Sequence, residues 1–113
     1  MLPIAASAIA LHTSAQLITG ADAGVSGETI IDSRKAADGA LFVAFKGERS
    51  DGNRYALSAL EAGAAAVVLS DEPSAEALSF AREHGRALLR AEDDDCEEFL
   101  LRLASYERSR HPE

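Results

Sequence analysis

Two uninterrupted apolar runs limit the folds available to this chain more than any other feature. They are residues 41–45 (LFVAF) and 65–69 (AAVVL), and neither alternates with polar residues. Such runs are typical of strands covered on both faces, as in a parallel sheet between helices. The segment between them has apolar residues at helical spacing, namely Ala56, Ala59, Leu60 and Gly63. The pattern predicts a strand, a crossover helix and a second strand parallel to the first.

The same pattern then repeats along the chain. Pro73 marks a helix entrance, Gly85 marks a helix end, and residues 87–89 predict a third short strand. The helix between them carries an apolar stripe of Ala77, Phe80, Ala81 and His84. The acidic run 92–95 favours the N-terminus of a last helix, whose buried stripe is predicted to be Cys96, Phe99, Leu100 and Leu103.

The first forty residues carry a weaker pattern. A short helix is predicted from three spaced apolar residues, Ile4, Ala8 and Leu11. Strands are predicted at 16–19 and 29–32, on either side of a loop at 20–27. The 113 residues have the length of one domain. We therefore predict an α/β fold, a single small three-layer domain with a mixed, partly parallel sheet and crossover helices.

The charge balance narrows the classes of partner. Eleven Lys and Arg against nineteen Asp and Glu give a net charge of −8, which opposes binding to nucleic acid or to an anionic membrane surface. No apolar run approaches the ~20 residues of a membrane helix, and the apolar start lacks the preceding Lys or Arg of a secretory signal. We therefore expect a cytoplasmic protein without nucleic-acid or membrane partners.

Positive charge is concentrated in one part of this acidic chain. Residues 34–54 contain five Lys and Arg but only three Asp and Glu. In parallel sheets ligands bind beyond the carboxyl ends of the strands, so the loops after Asp32 and after Lys46 are the candidate sites. The loop 47–52 (GERSDG) joins a predicted strand to a predicted helix, where backbone N–H groups and the helix dipole favour an anion. A phosphate or diphosphate fits this loop.

Each candidate also has a purely structural interpretation. Glycine and aspartate are ordinary turn residues, and Asp51 can simply cap the following helix. Asp32 can bond the backbone that follows it and pair with Arg34, which makes a structural corner. Ser33 has no evident base, so serine catalysis is not expected. Cys96 is expected in the core, and the three histidines lack metal spacing. The sequence thus predicts no catalytic residue and no metal site.

A family resemblance runs through the same segment. Residues 31–35 (IDSRK), followed by 39–44 (GALFVA), resemble the N-terminal domain of the Mur ligases. These are cytoplasmic enzymes that add amino acids to UDP-N-acetylmuramic acid during peptidoglycan synthesis. Residues 46–52 (KGERSDG), Tyr55 and 62–68 (AGAAAVV) continue the resemblance in the same order. Several linked motifs make it more specific than any single one.

The resemblance implies that residues 1–113 are a UDP-substrate-binding domain. It implies a fragment of a longer ATP-dependent ligase, inactive alone, with ATP and Mg²⁺ in a missing central domain and no cofactor or metal here. The partners implied are UDP-N-acetylmuramoyl-peptide and the remaining domains of the same ligase. Ile31 and Ser33 resemble residues that contact the uridine end, and Arg34 is placed with them. The remaining substrate-binding residues implied lie in the loop that contacts the nucleotide, namely Glu48, Arg49 and Ser50.

The type of ligase is left between two members of the family. Residues 47–49 resemble the MurF type, which adds D-Ala-D-Ala, whereas residues 51–52 and 54–55 also suit the MurE type, which adds the third residue. We favour the MurF type. A different class of function is a small α/β module that binds another protein and no nucleotide. An exposed apolar patch would be typical of such a module.

Overall fold

The computed structural model describes residues 4–44 and 55–110. Within them the chain forms seven strands, β1 (Ile4–Ala5), β2 (Gln16–Thr19), β3 (Gly24–Val25), β4 (Thr29–Ile30), β5 (Leu41–Val43), β6 (Ala66–Leu69) and β7 (Ala87–Arg90). The described helices are α1 (Ala6–Thr13), α2 (Ala56–Glu61), α3 (Ala75–His84) and α4 (Cys96–Arg110). The predicted α/β fold is confirmed.

Five of the strands form one mixed sheet in the order β2-β7-β6-β5-β4. Neighbouring strands from β4 to β7 are parallel, while β2 pairs with β7 in the antiparallel direction. Helix α2 connects β5 to β6, and α3 connects β6 to β7. These are the two consecutive βαβ units that the apolar runs predict. A separate antiparallel pair joins β1 to β3.

Helices cover both faces of the sheet, which explains why the central strands β5 and β6 contain no polar residue. Along β5, Leu41 and Val43 enter one buried cluster, whereas Phe42 enters the other. Helices α1 and α4 supply the first cluster with Ile9, Ala10, Phe99 and Leu103. Helices α2 and α3 supply the second with Ala56, Leu60, Ala77 and Ala81. The molecule is therefore a three-layer sandwich, as predicted.

The predicted first helix is present, but two of the three residues that predict it, Ile4 and Leu11, do not lie on its buried face. It begins at Ala6 because Ile4 and Ala5 pair with Val25 and Gly24 as a strand. Its buried face is Ala6, Ile9, Ala10 and Thr13, whereas Leu11 is 76% exposed. Its first six residues, 6–11 (ASAIAL), are all small or aliphatic and give little contrast between faces, so spacing alone does not identify the buried side.

Two further boundaries in this region need correction. The predicted loop at 20–27 contains β3, whose two residues are too few to show an alternating pattern. The strand predicted at 29–32 ends at Ile30, because Asp32 begins a 3₁₀ turn at Ser33–Lys35. The predicted strand residue Phe45 lies outside the described residues.

The ends of α3 and α4 follow local chemistry. The Ser74 hydroxyl accepts a hydrogen bond from the N–H of Ala77 at 3.2 Å, and Gly85 ends α3 with a φ of +67°. His84 is exposed and stacks on Phe80 at 4.1 Å, so its predicted place in the buried stripe is wrong. A carboxylate oxygen of Asp95 accepts from the N–H of Glu98 at 3.0 Å at the start of α4.

Helix α4 also closes the domain against α1. Arg102 donates to the backbone oxygen of Thr13 at 3.1 Å, 89 residues away in the chain. The same guanidinium pairs with Glu92 at 2.9 Å and with Glu98 at 3.3 Å. Since α1 packs against α4, the first and last helices stabilise each other.

Two glycines at positive φ allow a matched test of close packing. At Gly20 (φ +83°) a Cβ would meet the carbonyl oxygen of Arg86 and lie 2.6 Å from the Cα of Ala87, whereas at Gly85 it would meet nothing within 4 Å. We expect Gly85→Ala to lower the free energy of unfolding by about 1 kcal/mol and Gly20→Ala by about 3 kcal/mol or more. Urea denaturation measures both. Equal losses would contradict the described contact between residue 20 and the 86–87 backbone.

Candidate functional site

The carboxyl ends of the four parallel strands meet at one edge of the sheet. Residues 31–35 follow β4, Ala44 follows β5, residues 70–74 follow β6 and residues 91–95 follow β7. The antiparallel β2 brings Gln16 to this edge, because Gln16 pairs with Arg90. Ligands of open α/β sheets bind at such an edge, which makes it the candidate site.

Asp32 organises the corner that follows β4. One carboxylate oxygen, Oδ1, accepts the backbone N–H of Arg34 at 3.0 Å and its Nε–H at 3.1 Å. The other, Oδ2, accepts from Nη2 of Arg34 at 2.9 Å. The carbonyl oxygen of Asp32 accepts the N–H of Lys35 at 2.9 Å and closes the 3₁₀ turn. The predicted structural corner is therefore present, with four hydrogen bonds within four residues.

This pairing changes the acidity of Asp32. The side-chain hydrogen bond from Arg34, followed by the backbone one, lowers the pKa of the Asp32 carboxyl from 3.8 to about 2. The charges of Arg34 and Lys35 act in the same direction, while desolvation opposes them. The same hydrogen bond raises the pKa of Arg34. Both groups therefore remain charged at any pH near neutrality, and the pair persists.

The corner is anchored on one side and open on the other. Ala36 packs against the buried cluster beneath α2, and the 3₁₀ turn lies close to that helix. In contrast, the Arg34 side chain is 88% exposed and Ile31 is 63% exposed. Ser33 lies in the turn between them. Three of the predicted site residues, Ile31, Ser33 and Arg34, therefore lie in one corner, where the side chains of Ile31 and Arg34 are exposed.

The other three predicted site residues, Glu48, Arg49 and Ser50, lie outside the described residues. The chain enters that segment from Ala44, whose N–H donates to the carbonyl oxygen of Val68 at 2.8 Å. Ala44 is fully buried at the end of β5, the strand next to β4. The assignment of these three residues to a nucleotide loop stays a prediction.

An ion pair and a cleft occupy the other side of the edge, and sequence reasoning missed both. Arg90 pairs with Glu72 at 2.6 Å across the ends of β7 and β6. Beside it is an open cleft of about 380 Å³, lined by Ser14, Gln16, Arg90, Ala91, Glu92 and Asp93. The ion pair follows from the register of the two parallel strands. Arg90 lies opposite Leu69, the last residue of β6, and so close to the residues that follow β6, among them Glu72.

The remaining chemically reactive side chains have structural surroundings. Cys96 is buried as predicted, with its thiol 3.7 Å from the carbonyl oxygen of Ala44. Across residues 4–44 and 55–110, no group of three or more His, Cys, Asp and Glu is arranged to hold a metal ion. None of the helices described there has the length and apolar character that crossing a bilayer requires.

The fold and its edge define a three-layer α/β domain open to ligands at the carboxyl ends of its parallel strands. A family model described as "Mur ligase family, catalytic domain" matches residues 29–108, well over half of the sequence. The chain therefore belongs to the Mur ligase family. The matched segment begins at β4 and includes the Asp32 corner.

Individual relatives match shorter stretches. A UDP-N-acetylmuramoyl-L-alanyl-D-glutamate--2,6-diaminopimelate ligase of Haemophilus influenzae (strain PittEE) is 52% identical over 52 residues, 46% of this chain and 11% of the relative. A UDP-N-acetylmuramyl-tripeptide synthetase of Roseiflexus sp. (strain RS-1) is 55% identical over 42 residues, 37% of this chain and 8% of the relative. The chain thus matches about a tenth of the length of these relatives.

Solved structures match almost the whole chain. Two crystal structures of MurF from Acinetobacter baumannii align with TM-scores of 0.72 and 0.69, at 21% and 22% sequence identity. Each alignment covers 97% of this chain and 22% of the MurF chain. At this level of identity the likeness establishes the fold, and the fold is that of a Mur ligase domain.

The acidity of Asp32 gives a direct test of the corner. Arg34→Ala removes the largest cause of the lowered pKa, so the Asp32 pKa is expected to rise from about 2 towards 3.8, as measured by NMR titration of its carboxyl carbon. Because the folded pKa lies below the unfolded one, the pair stabilises the fold above pH ~4 and loses this effect as the pH falls towards 2.

Lys35→Ala is the matched control for that titration. It removes a neighbouring charge that contributes only through space and ranks last among the causes of the shift, so its effect on the Asp32 pKa should be much smaller. An Asp32 pKa that is unchanged in Arg34→Ala would show that the paired geometry is absent in solution.

Proposed function

We propose that this chain recognises the UDP part of a UDP-N-acetylmuramoyl-peptide for an ATP-dependent ligase of peptidoglycan precursor synthesis. The match of the Mur ligase family to residues 29–108 carries the proposal. It is supported by the position of Ile31, Ser33 and Arg34 in one corner at the edge where α/β sheets bind ligands.

Because the chain as a whole is acidic, a diphosphate can bind only where cations and hydrogen-bond donors are clustered locally. A net charge of −8 repels a diphosphate at long range, so binding depends on cations and donors placed at the contact itself. The described corner supplies Arg34 and Lys35 with Asp32 as the only acid among residues 31–35. Exposed Ile31 adds an apolar surface that can contact a nucleoside. The corner therefore offers positive charge for the diphosphate and an apolar surface for the nucleoside.

The contribution of this chain is binding and orientation. Arg49 and backbone N–H groups of the loop 47–52 are proposed to hold the diphosphate, with Glu48 and Ser50 beside them. We expect activation of the peptide carboxylate to come from ATP and Mg²⁺, which the family resemblance implies for a separate central domain.

Two ligase reactions are candidates for the one to which this domain would contribute. The sequence at 47–49 favours the MurF type, which adds D-Ala-D-Ala, and this is our first proposal. The second is the MurE type, which adds the third residue of the peptide. A specific observation favours it, since the relatives at 52% and 55% identity are named as a diaminopimelate ligase and a tripeptide synthetase.

Calorimetric titration tests the binding function. The chain should give saturable binding of UDP-N-acetylmuramoyl-tripeptide, and Arg49→Ala should weaken it about tenfold, the effect of one charge-assisted hydrogen bond. Arg82→Ala is the matched control, because it removes an equal charge from an exposed position near the far end of α3. Equal binding by Arg49→Ala and parent would remove the loop from the site. No saturable binding by the parent would overturn the proposal in favour of a protein-interaction module.

Product analysis distinguishes the two reaction types. In the ligase that we propose contains this domain, the MurF type predicts ADP release with UDP-N-acetylmuramoyl-tripeptide and D-Ala-D-Ala. The MurE type instead predicts ADP release with the UDP-N-acetylmuramoyl-dipeptide and diaminopimelate. Reactions without the amine provide the background rate. Turnover with only the second pair of substrates would replace our first candidate by the second.

A further inference from the structure

We propose that Asp32 is a positioning residue, which holds the guanidinium of Arg34 ready to contact the diphosphate of the bound nucleotide. The inference rests on the proposed function and extends it, because it assigns Arg34 to the phosphate end of the nucleotide and gives Asp32 a role through Arg34. It is carried by the geometry of the paired side chains and by their exposure.

The pairing leaves part of the guanidinium available. Asp32 engages Nε and one N–H of Nη2, at 3.1 and 2.9 Å. Within residues 4–44 and 55–110, Nη1 and the second N–H of Nη2 have no hydrogen-bond partner. The side chain is 88% exposed, so these donors face solvent. Arg34 is thus restrained by one edge of its guanidinium while the opposite edge can bind an anion.

Restraint of this kind improves binding. An arginine side chain has several rotatable bonds, and fixing it on a ligand costs conformational entropy. A carboxylate that already fixes the guanidinium removes part of that cost before the ligand arrives. The remaining donors are parallel N–H groups that suit two phosphate oxygens at once. The corner still attracts an anion although Asp32 is negative, because Arg34 and Lys35 together give it a net positive charge.

Stability alone does not account for the pair. Exposed ion pairs contribute little to folding, and the backbone N–H of Lys35 donates a separate hydrogen bond to the carbonyl oxygen of Asp32. Asp32 Oδ1 also accepts the backbone N–H of Arg34, so the turn is held even without the guanidinium. The ionic contact therefore orients the side chain, and the backbone bonds hold the corner.

Because the ionic contact and the backbone hydrogen bonds are separate, substitutions can remove the first and keep the second. Arg34→Ala removes the guanidinium and leaves the bond from the residue 34 N–H to Asp32. Asp32→Asn keeps an oxygen acceptor for that N–H but loses the charged pair. Neither change removes a buried group, so both variants should keep the thermal midpoint of the parent within about 2 °C.

The test is calorimetric titration of the chain with uridine diphosphate and with uridine. Arg34→Ala should weaken binding of uridine diphosphate about tenfold and leave uridine binding unchanged. Asp32→Asn should weaken uridine diphosphate binding about threefold. In the double variant the loss should equal that of Arg34→Ala alone, because Asp32 acts through Arg34. Arg82→Ala again serves as the charge control and should match the parent.

Three results would overturn the inference. One is uridine diphosphate binding by Arg34→Ala that equals the parent, and another is an equal loss for uridine, which would place Arg34 at the base. The third is an additive loss in the double variant, which would give Asp32 a contact of its own. In all three the parent still binds uridine diphosphate and the proposed function stands. If the parent does not bind it, the proposed function fails first.

Discussion

The burial of the central strands on both faces determines the layout of this domain. Successive side chains of β5, β6 and β7 enter opposite clusters, so a charged residue on either face would be buried without a partner. Polar chemistry is therefore displaced to the ends of the strands. That is where Asp32, Glu72 and Arg90 lie, and where the Mur ligase motif at residues 31–35 leaves the sheet.

The sequence could predict those parts of the fold where apolar segments are clearly separated from polar or turn residues. The runs at 41–45 and 65–69 specify buried strands because no polar residue interrupts them, and Gly85 specifies a helix end through its positive φ. The N-terminal helix lacks such a separation, and Leu11, one of the three apolar residues that predict it, is exposed. Strand β3 depends on a partner twenty residues away, which no local pattern reveals.

In the candidate site, too, the contacts between neighbouring residues could be predicted, and those that depend on tertiary packing could not. The bonds from Asp32 to Arg34 span two residues, so ordinary turn chemistry was enough to predict them. The exposure of Arg34 and Ile31 depends on what packs beneath the turn, and it required the structure. The pairing of Glu72 with Arg90 spans 18 residues and follows from the register of two parallel strands. Local spacing carries no information about such a contact.

The contact between Arg102 and Thr13 has a consequence for biosynthesis. On the ribosome, α1 emerges early, yet the helix that covers it is made some ninety residues later. Until then its apolar face packs only against strands of the sheet and lacks the cover that α4 provides. Chain growth of this kind delays the final packing step to the moment when α4 leaves the exit tunnel. The layer formed by α1 and α4 is therefore the last part of the described fold to be completed.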